Sequence, residues 1–64
     1  MIYFKTFIEG ENKDHIDVDE VIDTVENDTA FEIDAQALRY ELEHMGAGDI
    51  YTLREDCKIR KCYI

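Results

Sequence analysis

The stretch DVDEVIDTVEN, residues 17–27, decides how this chain folds. Val18, Val21, Ile22 and Val25 recur at i, i+3, i+4 and i+7, the spacing that gathers side chains on one face of a helix. Asp17 stands where an N-cap acceptor belongs, and Glu20, three residues later, completes a box-like start. The spacing predicts a helix from Asp17 to about Asn27, with an apolar face that another layer must cover.

Working outward, Ile2 to Ile8 place Ile2, Phe4 and Ile8 on one period-2 face and Tyr3, Lys5 and Phe7 on the other, which reads as an opening strand. Gly10, Glu11, Asn12 and Lys13 supply turn chemistry between that strand and the helix. Beyond the helix, Asp28 and Thr29 interrupt the period. Phe31 and Ile33 alternate over too few residues to separate a short strand from a connector, so that segment stays open. Asp34 caps a second helix with Ala35, Leu38, Leu42 and Met45 at helical spacing, and Gly46 stands where a left-handed C-cap residue belongs. The runs Ile50 to Leu53 and Cys57 to Ile64, separated by Arg54, Glu55 and Asp56, read as a C-terminal hairpin.

The order strand, helix, helix, strand, strand predicts an α+β domain over residues 1–64: a three-stranded, mostly antiparallel sheet with two helices on one face. The first strand is expected beside one of the last two, and the uncovered face is expected to show some of Lys5, Lys58 and Arg60. Cys57 and Cys62 are five residues apart on one strand and so point to opposite faces, which makes a bond between them geometrically improbable. Two reduced thiols fit a reducing compartment.

Sixty-four residues allow one small domain, and a hydrophobic fraction of 45% gives it a core to bury. Sixteen acids against seven bases leave a net charge of -9, a sign that argues against nucleic acid as a direct partner. No apolar run approaches the roughly 20 residues that span a bilayer, and the N-terminus lacks the layout of a signal peptide, so no membrane contact and a cytosolic protein are expected. The charge is uneven. Residues 1–49 hold fourteen acids and three bases, net -11, whereas residues 50–64 hold two acids and four bases, net +2.

On the first helix Asp19, Glu20, Asp23 and Glu26 fall on the outer arc with no Lys or Arg among them. The pairs 19/23, 20/23 and 23/26 are like charges at helical neighbour spacing, each unfavourable by about 0.2–0.5 kcal/mol. The helix dipole offsets some of this near Asp17, Asp19 and Glu20, but Glu26 and Asp28 stand at the negative end. Glu11 and Asp14 lead into this surface and Glu43 continues it; Tyr40, opposite the Leu38/Leu42/Met45 stripe, is an aromatic anchor candidate. The competing readings are an acidic face that serves solubility and a Tyr40 packed against its neighbours. Successive carboxylates about 5–6 Å apart along a helix match the scale on which a nucleic-acid strand presents phosphates.

Catalysis is not expected. No Ser/His/Asp layout, Gly-rich phosphate loop or nucleophile-elbow pattern occurs, and no cofactor is implied. Asp17 and Asp19 lack the Gly and closing Glu of a calcium loop. Cys57, Cys62, His15 and His44 lack zinc-site spacing, and His15 reads as a loop residue.

Size, charge and the acidic stretch from Glu9 to Glu43 resemble the small phage-encoded inhibitors that mimic DNA, of the anti-CRISPR and anti-restriction type. The resemblance implies an inhibitor in the host bacterial cytosol, a monomer or weak homodimer. It would dock on the basic nucleic-acid-binding surface of a defence complex, such as a CRISPR interference complex, and compete with the target. Asp19, Glu20, Asp23 and Glu26 would pair with Lys and Arg of the partner, helped by Glu11, Asp14, Asp28, Tyr40 and Glu43. The alternative is a small regulatory or assembly subunit that binds a protein partner through its sheet edge or hairpin.

Overall fold

In the computed structural model, which describes residues 1–29 and 32–64, the chain reverses direction immediately after its first strand. Glu9 and Gly10 both take positive φ, 51° and 84°, the combination that a two-residue hairpin turn of the primed type requires. The turn lays β2 (Glu11–His15) antiparallel against β1 (Ile2–Ile8), with Ile8 opposite Glu11 and Phe4 opposite His15. The expected three-stranded sheet is therefore a four-stranded antiparallel one, ordered β2-β1-β4-β3. Residues 11–13, read as a turn, and His15, read as a loop residue, belong to its edge strand.

Two helices follow, α1 (Val18–Asp28) and α2 (Ala35–His44), then the hairpin of β3 (Ile50–Arg54) and β4 (Cys57–Tyr63). β4 pairs with β1 along its length, Ile2 opposite Tyr63 through Ile8 opposite Cys57, and β3 pairs with β4 through a register shift between Thr52 and Arg54. Of the segment between the helices, Thr29 and residues 32–34 form neither helix nor strand, and residues 30–31 lie outside the described residues.

Local chemistry sets the helix ends. The Asp17 carboxylate accepts from the Glu20 amide at 3.0 Å, the N-cap half of a capping box, while the Glu20 carboxylate accepts from the amide of Ile16, one residue before the cap, at 3.1 Å. Asp34 accepts from the amides of Gln36 and Ala37 at the start of α2. Gly46 is not a left-handed cap. Met45 ends α2 with φ -75°, and the left-handed residue is Gly48 at φ 94°. Lys61 does the work assigned to a cap: its Nζ donates to the carbonyls of Leu42, Glu43 and Met45 at 3.1, 3.3 and 2.9 Å, groups a helix end leaves without intrahelical partners. Backbone bonds from Gly48 to the Lys61 carbonyl and from Lys61 to the Asp49 carbonyl then fix the α2–β3 loop on β4.

Both helices cover the same side of the sheet. Phe4, Ile8, Cys57 and Ile59, which the β1–β4 register places on one face, form a single buried cluster with Val21, Ile22 and Val25 of α1 and Leu38 and Leu42 of α2. Each buried aliphatic or aromatic side chain here contributes about 1.5–3 kcal/mol relative to exposure. Thr6 lies in the same layer, 1% exposed. Its hydroxyl donates to the Lys13 carbonyl at 3.4 Å and lies 3.1 Å from His15 Nε2, so β2 satisfies the one buried polar side chain of the sheet. The other face is uncovered. Register puts Tyr3, Lys5, Phe7, Lys58, Arg60 and Cys62 there, with Asn12 and Asp14 from β2 and Ile50 and Thr52 from β3.

Candidate partner-binding surface

The outward face of α1 exposes Asp19, Glu20, Asp23 and Glu26 side by side, because burial of Val21, Ile22 and Val25 fixes the rotation of the helix. No basic residue occupies its last turn. The cations that reach the acids of α1 come from other elements and touch its two ends. Arg39 of α2 bonds and ion-pairs with Asp19 near the N-terminus. Lys13 of β2 donates to Asp28 at 2.9 Å near the C-terminus. The Asp28 position, unfavourable in the helix dipole, is thus compensated by the strand that sequence periodicity missed.

These pairs raise both cations above their ordinary ranges. Lys13 is raised first by its hydrogen bond to Asp28 and then by the charge of the same carboxylate. Arg39 is raised first by its hydrogen bond to Asp19; desolvation, next in size, opposes this, and the charges of Asp19, Glu43 and Asp17 add to the rise. Asp23 and Glu26, between the two paired ends, make no ion pair among the described residues. Glu20 is exposed, but its carboxylate holds the Ile16 amide. The middle and C-terminal half of α1 therefore keep the least compensated negative charge of the ridge.

The remaining expected residues are distributed over several surfaces. Glu11, at the start of β2, faces the helix side opposite Ile8 and shares a concavity of about 230 Å³ with Lys13 and Asp28. Glu43 lies on α2, where it acts on Arg39. Tyr40 is 61% exposed and stacks on His44, ring centroids 4.0 Å apart, while His44 Nδ1 lies 2.8 Å from the Tyr40 carbonyl oxygen. It is a surface aromatic held by its own helix. Asp14 does not join the ridge: it pairs in register with Lys5 on the uncovered sheet face, 3.9 Å from the Lys5 ammonium.

Both thiols are free. Cys57 is buried against the helices and Cys62 lies half-buried toward the open face, as the odd separation predicts. Burial pushes the Cys57 thiol above its ordinary range, with the Asp56 charge adding to the effect. The Tyr3 phenol is also raised, chiefly by a hydrogen bond with Cys62. Among the described residues no three His, Cys, Asp or Glu side chains converge as a metal site would need, and no helix is long and apolar enough to cross a membrane.

Comparisons with protein-family models, with curated proteins and with solved structures each return no match to this chain.

Proposed function

We propose that this protein is a non-catalytic binding protein whose α1 ridge occupies a positively charged surface built to hold a nucleic-acid backbone, in the manner of the anti-CRISPR and anti-restriction DNA mimics its composition resembles. The reading rests on one observation. The fold brings cations to the two ends of the ridge and leaves Asp23 and Glu26 exposed and without an ion pair among the described residues. Placing those carboxylates against Lys and Arg of a partner relieves repulsion that the free protein carries. Complementary fields of this kind speed association and make it salt-sensitive. Asp19 and Glu20 extend the contact, with Glu43 of α2 adding to the negative field around Arg39.

The test is competition. The protein is titrated into a preformed complex of duplex DNA with a basic DNA-binding assembly, a CRISPR interference complex among them, and displaced DNA is read by gel shift. Wild type displaces DNA, less so as salt rises, and Asp23→Lys with Glu26→Lys does not. Displacement untouched by that double reversal refutes the reading. A second reading, a regulatory or assembly subunit, draws on the exposed Ile50 of edge strand β3, 57% accessible, beside unpaired backbone of the kind another strand can join. A homodimer through that edge, with no competition against DNA, would favour it.

A further inference from the structure

The uncovered sheet face has a sign opposite to the rest of the molecule. Three cations, Lys5, Lys58 and Arg60, share it with one anion, Asp14. Lys5 and Arg60 are direct cross-strand partners, an arrangement in which like charges oppose one another and weaken the sheet. Asp14 of β2 stands on the other side of Lys5, 3.9 Å from its ammonium, but no acid is the cross-strand partner of Arg60 or Lys58. Lys13, Arg39 and Lys61 all have close intramolecular partners, whereas Lys58 and Arg60 have no ion-pair or side-chain hydrogen-bond partner among the described residues.

Aromatic rings flank these cations. Tyr3, Lys5 and Phe7 alternate along the open side of β1, opposite Cys62, Arg60 and Lys58 of β4. Tyr3, Lys5 and Arg60 also line a shallow concavity of about 380 Å³ together with the loop residues Ala47 and Gly48. Rings spaced along a sheet with basic residues between them are the chemistry that takes an unpaired nucleic-acid strand, bases against the rings and phosphates against the cations.

We propose that the open face of the β1–β4 pair binds single-stranded nucleic acid, with Lys5, Lys58 and Arg60 contacting phosphates and Tyr3 and Phe7 stacking bases. The net charge of the chain argues against nucleic acid as a direct partner, but the acids of α1 lie on the far side of the sheet. At about 0.15 M salt, exposed charges more than roughly 8 Å apart are largely screened, so this face presents its own local sign. A second copy of the chain offers complementary charge through its α1 ridge. However, Asp19, Glu20, Asp23 and Glu26 bring no flat or apolar group for Tyr3 and Phe7, and a head-to-tail contact of that kind does not close. This site is independent of the α1 ridge, and either stands if the other fails.

Fluorescence anisotropy of labelled oligothymidylate and oligouridylate of about 12 nucleotides, titrated with the purified chain, tests it. With three phosphate contacts and a slope of about -0.7 per contact, the Kd is expected to rise about 18-fold between roughly 50 and 200 mM salt. Arg60→Ala removes one contact and lowers that ratio to about 7-fold. Lys58→Glu with Arg60→Glu abolishes binding, while Asp23→Lys leaves it intact. Both substituted cations are exposed, so loss of fold does not confuse the result, and circular dichroism checks it. Binding insensitive to the Lys58/Arg60 reversal, a duplex bound as tightly as the single strand, or no binding at the lower salt overturns the proposal. So does concentration-dependent self-association that both the Lys58/Arg60 reversal and Asp23→Lys abolish, which would assign the face to a second copy.

Discussion

Asp23→Lys should make this protein more stable while removing the centre of its acidic ridge. Asp23 is exposed on α1 and stands in three like-charge pairs, with Asp19, Glu20 and Glu26. Reversing one charge turns each repulsion of about 0.2–0.5 kcal/mol into an attraction of similar size, an upper bound of roughly 1.2–3 kcal/mol. The structure lowers that bound, because Asp19 already pairs with Arg39 and Glu20 already accepts from the Ile16 amide. Glu26 alone offers its full share, about 0.4–1 kcal/mol for repulsion removed and attraction gained. Lys adds roughly 0.3 kcal/mol in helix propensity over Asp. The expected gain is about 1 kcal/mol, or about 4–8 °C in Tm for a domain of this size. Urea unfolding followed by circular dichroism measures it as a higher midpoint at unchanged slope. The electrostatic share should fade by about 0.5 M salt, where the screening length is down to a few Å. A midpoint that stays put or falls, or a gain indifferent to salt, would mean that the acidic row is not a burden on the fold. The inference that it is kept for a partner would then lose its physical basis.

Four other changes have definite expectations. Glu9→Asn puts a residue that tolerates left-handed backbone at φ 51° and completes an Asn-Gly turn, so thermal melts should show a stabilisation of about 0.5–1 kcal/mol. Lys61→Met removes the donor that holds the α2 carbonyls, which should cost about 1–3 kcal/mol and speed amide exchange near Gly46–Asp49. Leu42→Ala in the centre of the core, where Leu42 is fully buried, should cost about 2–5 kcal/mol and leave little folded protein at 25 °C. Thiol titration in native buffer should label Cys62 quickly and Cys57 only on unfolding. Because burial raises the Cys57 thiol above its ordinary range, the folded state holds that proton longer than the unfolded one. Stability should therefore decline as pH rises above about 9, and the raised Lys13, whose contribution is lost as pH rises through its folded value, pulls the same way.

The elements with a period were legible in the sequence. Val18, Val21, Ile22 and Val25 predicted α1, with Asp17 and Glu20 capping it, and the alternation of Phe4 and Ile8 against Tyr3 and Phe7 predicted β1 and both of its faces. β2 was not legible because ENKDH contains no apolar residue to alternate. An edge strand exposed along most of its length buries nothing, and its existence is set by the Glu9-Gly10 turn and by backbone pairing with β1. That omission had consequences for the site. Without β2 there was no Lys13 beside Asp28, no His15 ring beside Thr6, and no reason to move Asp14 from the acidic ridge to the far side of the sheet. Gly46 misled for a related reason. A glycine signals helix termination through local backbone conformation, whereas here Lys61, nineteen positions beyond Leu42, supplies the donor. The pairing of Arg39 with Asp19, twenty residues apart, lay beyond periodicity in the same way.

Two faces of this small domain therefore break the rules of stability with opposite sign. The fold brings Arg39 and Lys13 to carboxylates at the two ends of α1, and Lys61 to the carbonyls at the end of α2. Among the described residues it does not bring a cation to Asp23 or Glu26, and it does not bring an acid to Lys58 or Arg60. A chain adjusted only for solubility would be expected to mix its signs on both faces, since opposite charges opposite one another on a sheet contribute about 0.2–1 kcal/mol per pair. Arg60→Glu separates the explanations. It places an anion opposite Lys5, so the variant should melt higher than wild type by an amount in that range. Stabilised protein that no longer binds single-stranded nucleic acid would tie the repulsion to the ligand. Unchanged stability would show that Lys5 and Arg60 do not oppose each other in solution and that their juxtaposition carries no cost for a ligand to relieve.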